Sequence, residues 1–144
     1  QPFTALSTGQ VPDIPLLTGF VRDEGVYFEY TENTSVMTYE QYQSFLSIFG
    51  TDELSTLNTL YSYDQSITDG RLLASEILGD TTFVCPAMMM CTEAIQHRTA
   101  PIYVYEFTHI YENINRNSSN ICSDKVCHGA ELPSVFDTFY KSGS

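Results

Sequence analysis

Two short apolar runs constrain this chain more than any other feature. Residues 14–21 (IPLLTGFV) and 102–108 (IYVYEFT) lack polar alternation and flank a long stretch of helical pattern, residues 38–98. Runs of this kind suit strands buried on both faces of a parallel sheet. The block between them suits the crossover that joins parallel strands. Two strands do not make an α/β domain alone, because a sheet covered on both faces needs several. The expected fold class is therefore α/β, an incomplete domain with few sheet strands and a large helical insert. The opening Gln1-Pro2-Phe3, with no Met and no leader, fits the same expectation of a piece, or of a chain that starts after a cleavage.

Within the insert, Thr38 suits a helix N-cap, with Glu40 and Gln41 in the first turn. Tyr39, Tyr42, Phe45, Leu46 and Phe49 repeat at helical spacing, and Gly50 suits the stop. Thr51 or Asp52 opens a second helix, with Leu54, Leu57, Leu60 and Tyr61 on one face. Asp69 opens a third, apolar at Leu72, Leu73, Ile77 and Leu78 and ended by Gly79. Asp80 caps a fourth that runs past Pro86 to about His97, with Met88, Met89 and Met90 as core filler. Residues 26–30 start a helix or stay a loop, residues 1–13 and 110–127 read as loop, and residues 129–140 as a short helix or turn.

Charge excludes two classes of partner. Six basic against eighteen acidic residues give a net charge of -12. No basic patch is available for nucleic acid or for anionic lipid. No apolar run approaches the ~20 residues of a membrane span. The acidic field would attract cationic substrates, although solubility in an acidic or extracellular medium is the plainer reading. Four cysteines fall in two close pairs, Cys85 with Cys91 and Cys122 with Cys127. Even number and close spacing suit two local disulfides in an oxidising compartment. Glycosylation sequons at Asn33 and Asn117 agree with secretion. Two rivals stay open. One is a zinc site from Cys122, Cys127 and His128, although structural zinc usually shows closer cysteine pairs. The other is an intracellular chain with reduced thiols.

Active sites of open parallel sheets gather at the carboxyl ends of strands. After the first run comes Arg22-Asp23-Glu24-Gly25; beyond the second comes Cys127-His128-Gly129. A carboxylate on one loop and a histidine on another form the acid/base half of a nucleophilic triad. Histidine suits the work because its ordinary pKa is about 6.5. His97 reads as a surface residue; His109, at a strand end, remains a candidate.

Four segments carry a resemblance to the type-B carboxylesterase and cholinesterase family. Gly19-Phe20-Val21-Arg22-Asp23-Glu24-Gly25-Val26-Tyr27-Phe28 resembles its acid segment, G-x-x-x-D-E-G-x-Y/F-F. Gly79-Asp80-Thr81-Thr82-Phe83-Val84-Cys85-Pro86 is similar to its G-D-x-x-F-x-C-P helix start. Residues 100–109 resemble the strand that follows and ends near F-x-H. His128-Gly129-Ala130-Glu131, continued to Phe136, resembles its H-G-x-E-x-x-x-x-F element. The resemblance spans residues 18–136, and acid before histidine matches the order in α/β-hydrolases.

The resemblance implies that residues 1–144 are the C-terminal part of an α/β-hydrolase domain: acid segment 18–28, helical insert 38–98, strand 102–108 and histidine loop 110–136. It implies Glu24 as triad acid and His128 as base in a secreted ester hydrolase that needs no cofactor or metal. Tyr27 and Phe28 would line the site of a small-molecule ester, unless they are ordinary packing. Glu131 would support the histidine from behind, unless it is only a charge at a helix start. Neither a G-x-S-x-G nucleophile elbow nor an HGGG oxyanion loop occurs in these residues. Both belong to the part of the family that precedes this segment, so the missing N-terminal part is the expected partner. In cholinesterases the cysteine matching Cys85 pairs with a distant one, so that pairing competes with Cys85–Cys91. The family also contains non-catalytic adhesion relatives, which gives the alternative function.

Overall fold

A computed structural model describes residues 2–64, 66–111 and 121–138 of the chain. The two apolar runs form β1 (Leu16–Val21) and β2 (Ile102–Phe107), paired in parallel with Leu16 opposite Ile102 and Val21 opposite Phe107. Ile14 and Pro15 stay outside β1; a proline has no N–H to give to a ladder. The Arg22 N–H carries the ladder one bond further, to the Phe107 carbonyl at 3.0 Å. Among the described residues the sheet has these two strands. Their apolar side chains Leu17, Tyr103 and Val104 stand exposed.

The helices follow the pattern of the sequence with three corrections. α1 (Pro2–Ser7) occupies a stretch expected to be loop, and packs against the later helix α6 (Cys85–Ala94). Its proline sits at the first helical position, where the absent N–H costs nothing. α2 (Val26–Glu32) resolves the choice between helix and loop after the acid segment. α3 (Tyr39–Leu46) opens on a complete capping box: the Gln41 N–H donates to Thr38 Oγ1, and the Thr38 N–H donates to Gln41 Oε1 at 2.8 Å. α4 (Leu54–Leu60) follows Glu53 and has no side-chain cap, so neither Thr51 nor Asp52 opens it.

The third correction concerns α5 (Arg71–Gly79), which does not stop at its glycine. A π-helical turn, Asp80–Val84, joins it to α6, and the run Arg71–His97 is one helix of 27 residues. By length and composition it could cross a membrane, which the sequence's shorter apolar runs did not suggest. The π turn ends just before Pro86, whose ring removes a helical donor, so the irregular bonding falls where the ladder is already broken. Tyr42 and Leu46 of α3 pack with Leu73, Ala74 and Ile77 of α5 in a small core. The Tyr42 hydroxyl donates to the Tyr61 carbonyl at 2.8 Å, so its burial leaves no polar group unpaired.

Gly79 has a different task from stopping a helix. A Cβ on Gly25 would lie 2.0 Å from the Ser75 carbonyl oxygen and 2.8 Å from the Gly79 nitrogen. A Cβ on Gly79 would in turn lie 3.2 Å from the Gly25 nitrogen. The start of α2 therefore rests directly on the backbone of α5, and only glycine fits at that crossing. Because Gly25 follows Glu24, this contact also fixes the acid segment against the long helix. Gly25→Ala should force the two helices apart and destabilise the fold by about 1–3 kcal/mol or more. Urea unfolding of the variant beside the parent measures this; an unchanged midpoint would show that the crossing is not tight.

Candidate active site

β1 ends at Val21, and once the Arg22 N–H has bonded to Phe107 the chain leaves β2 for the histidine loop. The Asp23 N–H donates to the Val126 carbonyl at 3.0 Å, and Asp23 pairs with Cys127 as an isolated parallel bridge. This brings two segments about a hundred residues apart in sequence to one sheet edge. Glu24 leaves the end of β1 and is 5% exposed. Its Oε1 accepts the Val21 N–H at 2.8 Å, and its Oε2 accepts from His128 Nδ1 at 2.5 Å. A carboxylate in that position selects the imidazole tautomer with its proton on Nδ1 and leaves Nε2 as an acceptor. The His128 side chain is 46% exposed, and among the described residues no hydrogen bond occupies Nε2.

The turn that presents His128 follows from Gly129. The Ala130 N–H donates to the Cys127 carbonyl at 2.9 Å, and Gly129 has φ +82°. A positive φ at the third position of such a turn favours glycine. The Cys122–Cys127 disulfide braces the loop from the other side, with Cα atoms 5.8 Å apart. That bond uses both sulfurs and removes the zinc reading that required Cys122 and Cys127 as ligands. Among the described residues no group of three His, Cys, Asp or Glu side chains is placed to hold a metal.

Aromatic rings wall the imidazole. The His128 ring centroid lies 4.7 Å from Phe83 and 5.2 Å from Phe28, and Phe28 stacks on Phe83 at 5.8 Å. Tyr27 meets Phe28 edge-on and is exposed. Phe83 sits in the π turn, which aims it at the histidine. The contact of Phe83 with His128 was not foreseen from the sequence, although the residue lies in a segment that carried the resemblance. Beside the histidine a cavity of about 360 Å³ is lined by Tyr27, His109, Tyr111, Lys125 and His128. His109 packs edge-on against Tyr111 and so belongs to the cavity wall; His97 lies away from it, against Gly9.

Glu131 directly precedes α7 (Leu132–Val135) and makes no side-chain cap bond. One of its carboxylate oxygens, Oε2, is buried without a hydrogen-bond partner among the described residues. Burial first, and then the charges of Glu131 and Glu24, push the Tyr105 phenol above its ordinary pKa. Glu131 thus lies within electrostatic reach of Tyr105, as Glu24 does, and stands at a helix start. Asn33 is exposed at the end of α2, and its Nδ2 donates to buried Glu29 at 2.8 Å. Asn117 lies outside the described residues.

The expected disulfide Cys85–Cys91 is absent: Cys85 is exposed and free, Cys91 buried and free. Both lie on α6, where six residues at 1.5 Å each separate them by about 9 Å along the axis. A disulfide needs Cα atoms within about 7 Å.

These motifs and this geometry have a counterpart among known proteins. The chain matches the profile of the Carboxylesterase family over residues 1–144. It belongs to the carboxylesterase family. The segment is 29% identical over 140 residues to the "Crystal protein" of Dictyostelium discoideum, covering 96% of this chain and 25% of that protein. It is 28% identical over 143 residues to the "cAMP-regulated D2 protein" of the same organism, covering 99% and 26%. With an acetylcholinesterase of Leptinotarsa decemlineata it shares 26% identity over 153 residues, covering 94% of this chain and 23% of the enzyme. The carboxylesterase segment thus spans about a quarter of the length of these relatives, and its two parallel strands and helices fit an α/β-hydrolase fold.

Maleimide labelling of residues 1–144 should modify Cys85 at once and Cys91 only on unfolding, since burial pushes the Cys91 thiol up and shields it. Cys122 and Cys127 should react only after reduction. Protection of both Cys85 and Cys91 from labelling under denaturing, non-reducing conditions would restore the rejected pairing.

Proposed function

We propose that this segment supplies the acid and base of a Ser–Glu–His triad in a secreted carboxylic ester hydrolase. The nucleophilic serine and the oxyanion donors would come from a preceding part of the same polypeptide. The observation that carries this reading is the 2.5 Å contact between His128 Nδ1 and Glu24, with the imidazole half exposed and no hydrogen bond on Nε2 among the described residues. Family membership supports it at the level of esterase chemistry.

In this mechanism His128 Nε2 takes the proton of the serine hydroxyl as its oxygen attacks the ester carbonyl carbon. The tetrahedral intermediate collapses, the C–O bond to the alcohol breaks, and His128 returns the proton to the leaving oxygen. Water then repeats the sequence on the acyl-enzyme and frees the acid. Glu24 holds the tautomer and stabilises the transient imidazolium. Tyr27 and Phe28 would wall the bound small-molecule ester.

Secretion is supported by the Cys122–Cys127 disulfide and by the exposed sequon at Asn33. On the same reading Cys85 pairs with a cysteine outside these residues, as in cholinesterases, and Asn117 carries a second glycan. Arg71–His97 is then a packing helix and not a span: it lies against α2 through the Gly25 crossing and carries Asp80, which accepts from the Tyr61 hydroxyl at 2.5 Å. A second reading, a non-catalytic binding protein, draws support from the relative named "Crystal protein", whose name is not that of an enzyme.

The test is hydrolysis of a chromogenic short-chain ester by the full-length protein that contains this segment. Turnover blocked by a serine-directed organophosphate is expected. Glu24→Gln should lower kcat by about 10⁴-fold, the loss seen when a triad acid is replaced by its amide. Residues 1–144 alone should be inactive. Organophosphate-sensitive turnover by residues 1–144 would place the nucleophile inside them, and an inert full-length protein would favour the binding reading.

A further inference from the structure

We infer that Asp23 is a positioning residue, a carboxylate that clamps the histidine loop to the end of β1 so that His128 meets Glu24. Its Oδ2 accepts the Val126 N–H at 2.7 Å, while its own N–H donates to the Val126 carbonyl at 3.0 Å. One residue therefore holds both backbone polar groups of Val126, two positions before His128. Val126 and Cys127 are buried, so the clamp lies within packed structure. The same Oδ2 accepts from Arg22 Nε at 3.0 Å and Nη2 at 2.8 Å, which orients the carboxylate from its solvent side.

Among the described residues the Asp23–Val126 bond is, with Glu24–His128, one of two side-chain hydrogen bonds that join the acid segment to the histidine loop. The Cys122–Cys127 disulfide closes the loop upon itself and does not tie it to β1. β2 has already ended at Phe107, and after the Arg22–Phe107 bond the neighbour of the acid segment is the histidine loop. The grip passes along the two segments: Asp23 on Val126, then Glu24 on His128. A one-residue slip of the loop past Asp23 would carry the turn that presents the imidazole away from Glu24. Aspartate has the reach for this bond while its main chain stays in the ladder; an added methylene would push the oxygen into the Val126 peptide.

The kinetic arm of the test rests on the esterase reading; the spectroscopic arm does not. In the full-length protein, Asp23→Ala should lower kcat by roughly tenfold to 10²-fold with KM little changed, the cost of misplacing a catalytic group by about 1 Å. Asp23→Asn keeps an oxygen for the Val126 N–H and should recover most of that loss. Asp23→Glu keeps the charge but not the geometry and should be impaired. In ¹⁵N-histidine-labelled protein the low-field Nδ1–H resonance of His128 should weaken in Asp23→Ala and Asp23→Glu and persist in Asp23→Asn. Equal effects of Asn and Glu, or a folded Asp23→Ala with unchanged resonance, would overturn the inference. If Asp23→Ala does not fold, the Asn and Glu pair decides alone. A parent protein without turnover would contradict the esterase reading, and the resonance would still decide the role of Asp23.

Discussion

A buried carboxylate organises this structure. Taking an isolated charge out of water costs several kcal/mol unless partners replace the lost hydration. Glu24 has two, the Val21 N–H on Oε1 and the His128 imidazole on Oε2. The first ties the acid to the end of β1, and the second reaches across 104 residues of sequence. Withdrawal of the histidine loop would leave the acid with one of these two partners. The fold therefore favours the same arrangement that the proposed triad chemistry would need. Around it, the glycine crossing fixes the acid segment from below, and the π turn sets Phe83 against the imidazole.

Much of this was legible in the residues. Both strands follow from apolar runs without alternation, and the α3 cap from Thr38 and Gln41 at capping-box spacing. Glu24 and His128 came from motifs, and Gly129 from the same motif now has a cause in its positive φ. What failed was information that local patterns do not hold. Gly79 looks alike in sequence whether it stops a helix or lets another chain approach, and only the position of Gly25 distinguishes the two. Cys85 and Cys91 are close in sequence, but a continuous helix holds them apart. The clamp at Asp23 and the ring of Phe83 depend on where distant segments meet, which no window of residues reports.

Family membership gives the exposed faces a context. Leu17, Tyr103 and Val104 stand out from a sheet of two strands among the described residues, and this chain covers only about a quarter of the three relatives named above. Strands with unpaired edges and bare apolar faces invite association. In the proposed full-length protein those surfaces would be covered by the remainder of the sheet, and the same remainder would bring a serine to Nε2 of His128.

The central claim is that Glu24 acts through His128 as one acid–base unit. A double-mutant cycle in the full-length protein measures this directly, with kcat/KM determined for Glu24→Gln, His128→Ala and the pair. Residues that act as a unit are strongly non-additive, so the double variant should be no slower than His128→Ala alone. Losses that multiply would show two independent contributions and contradict the claim.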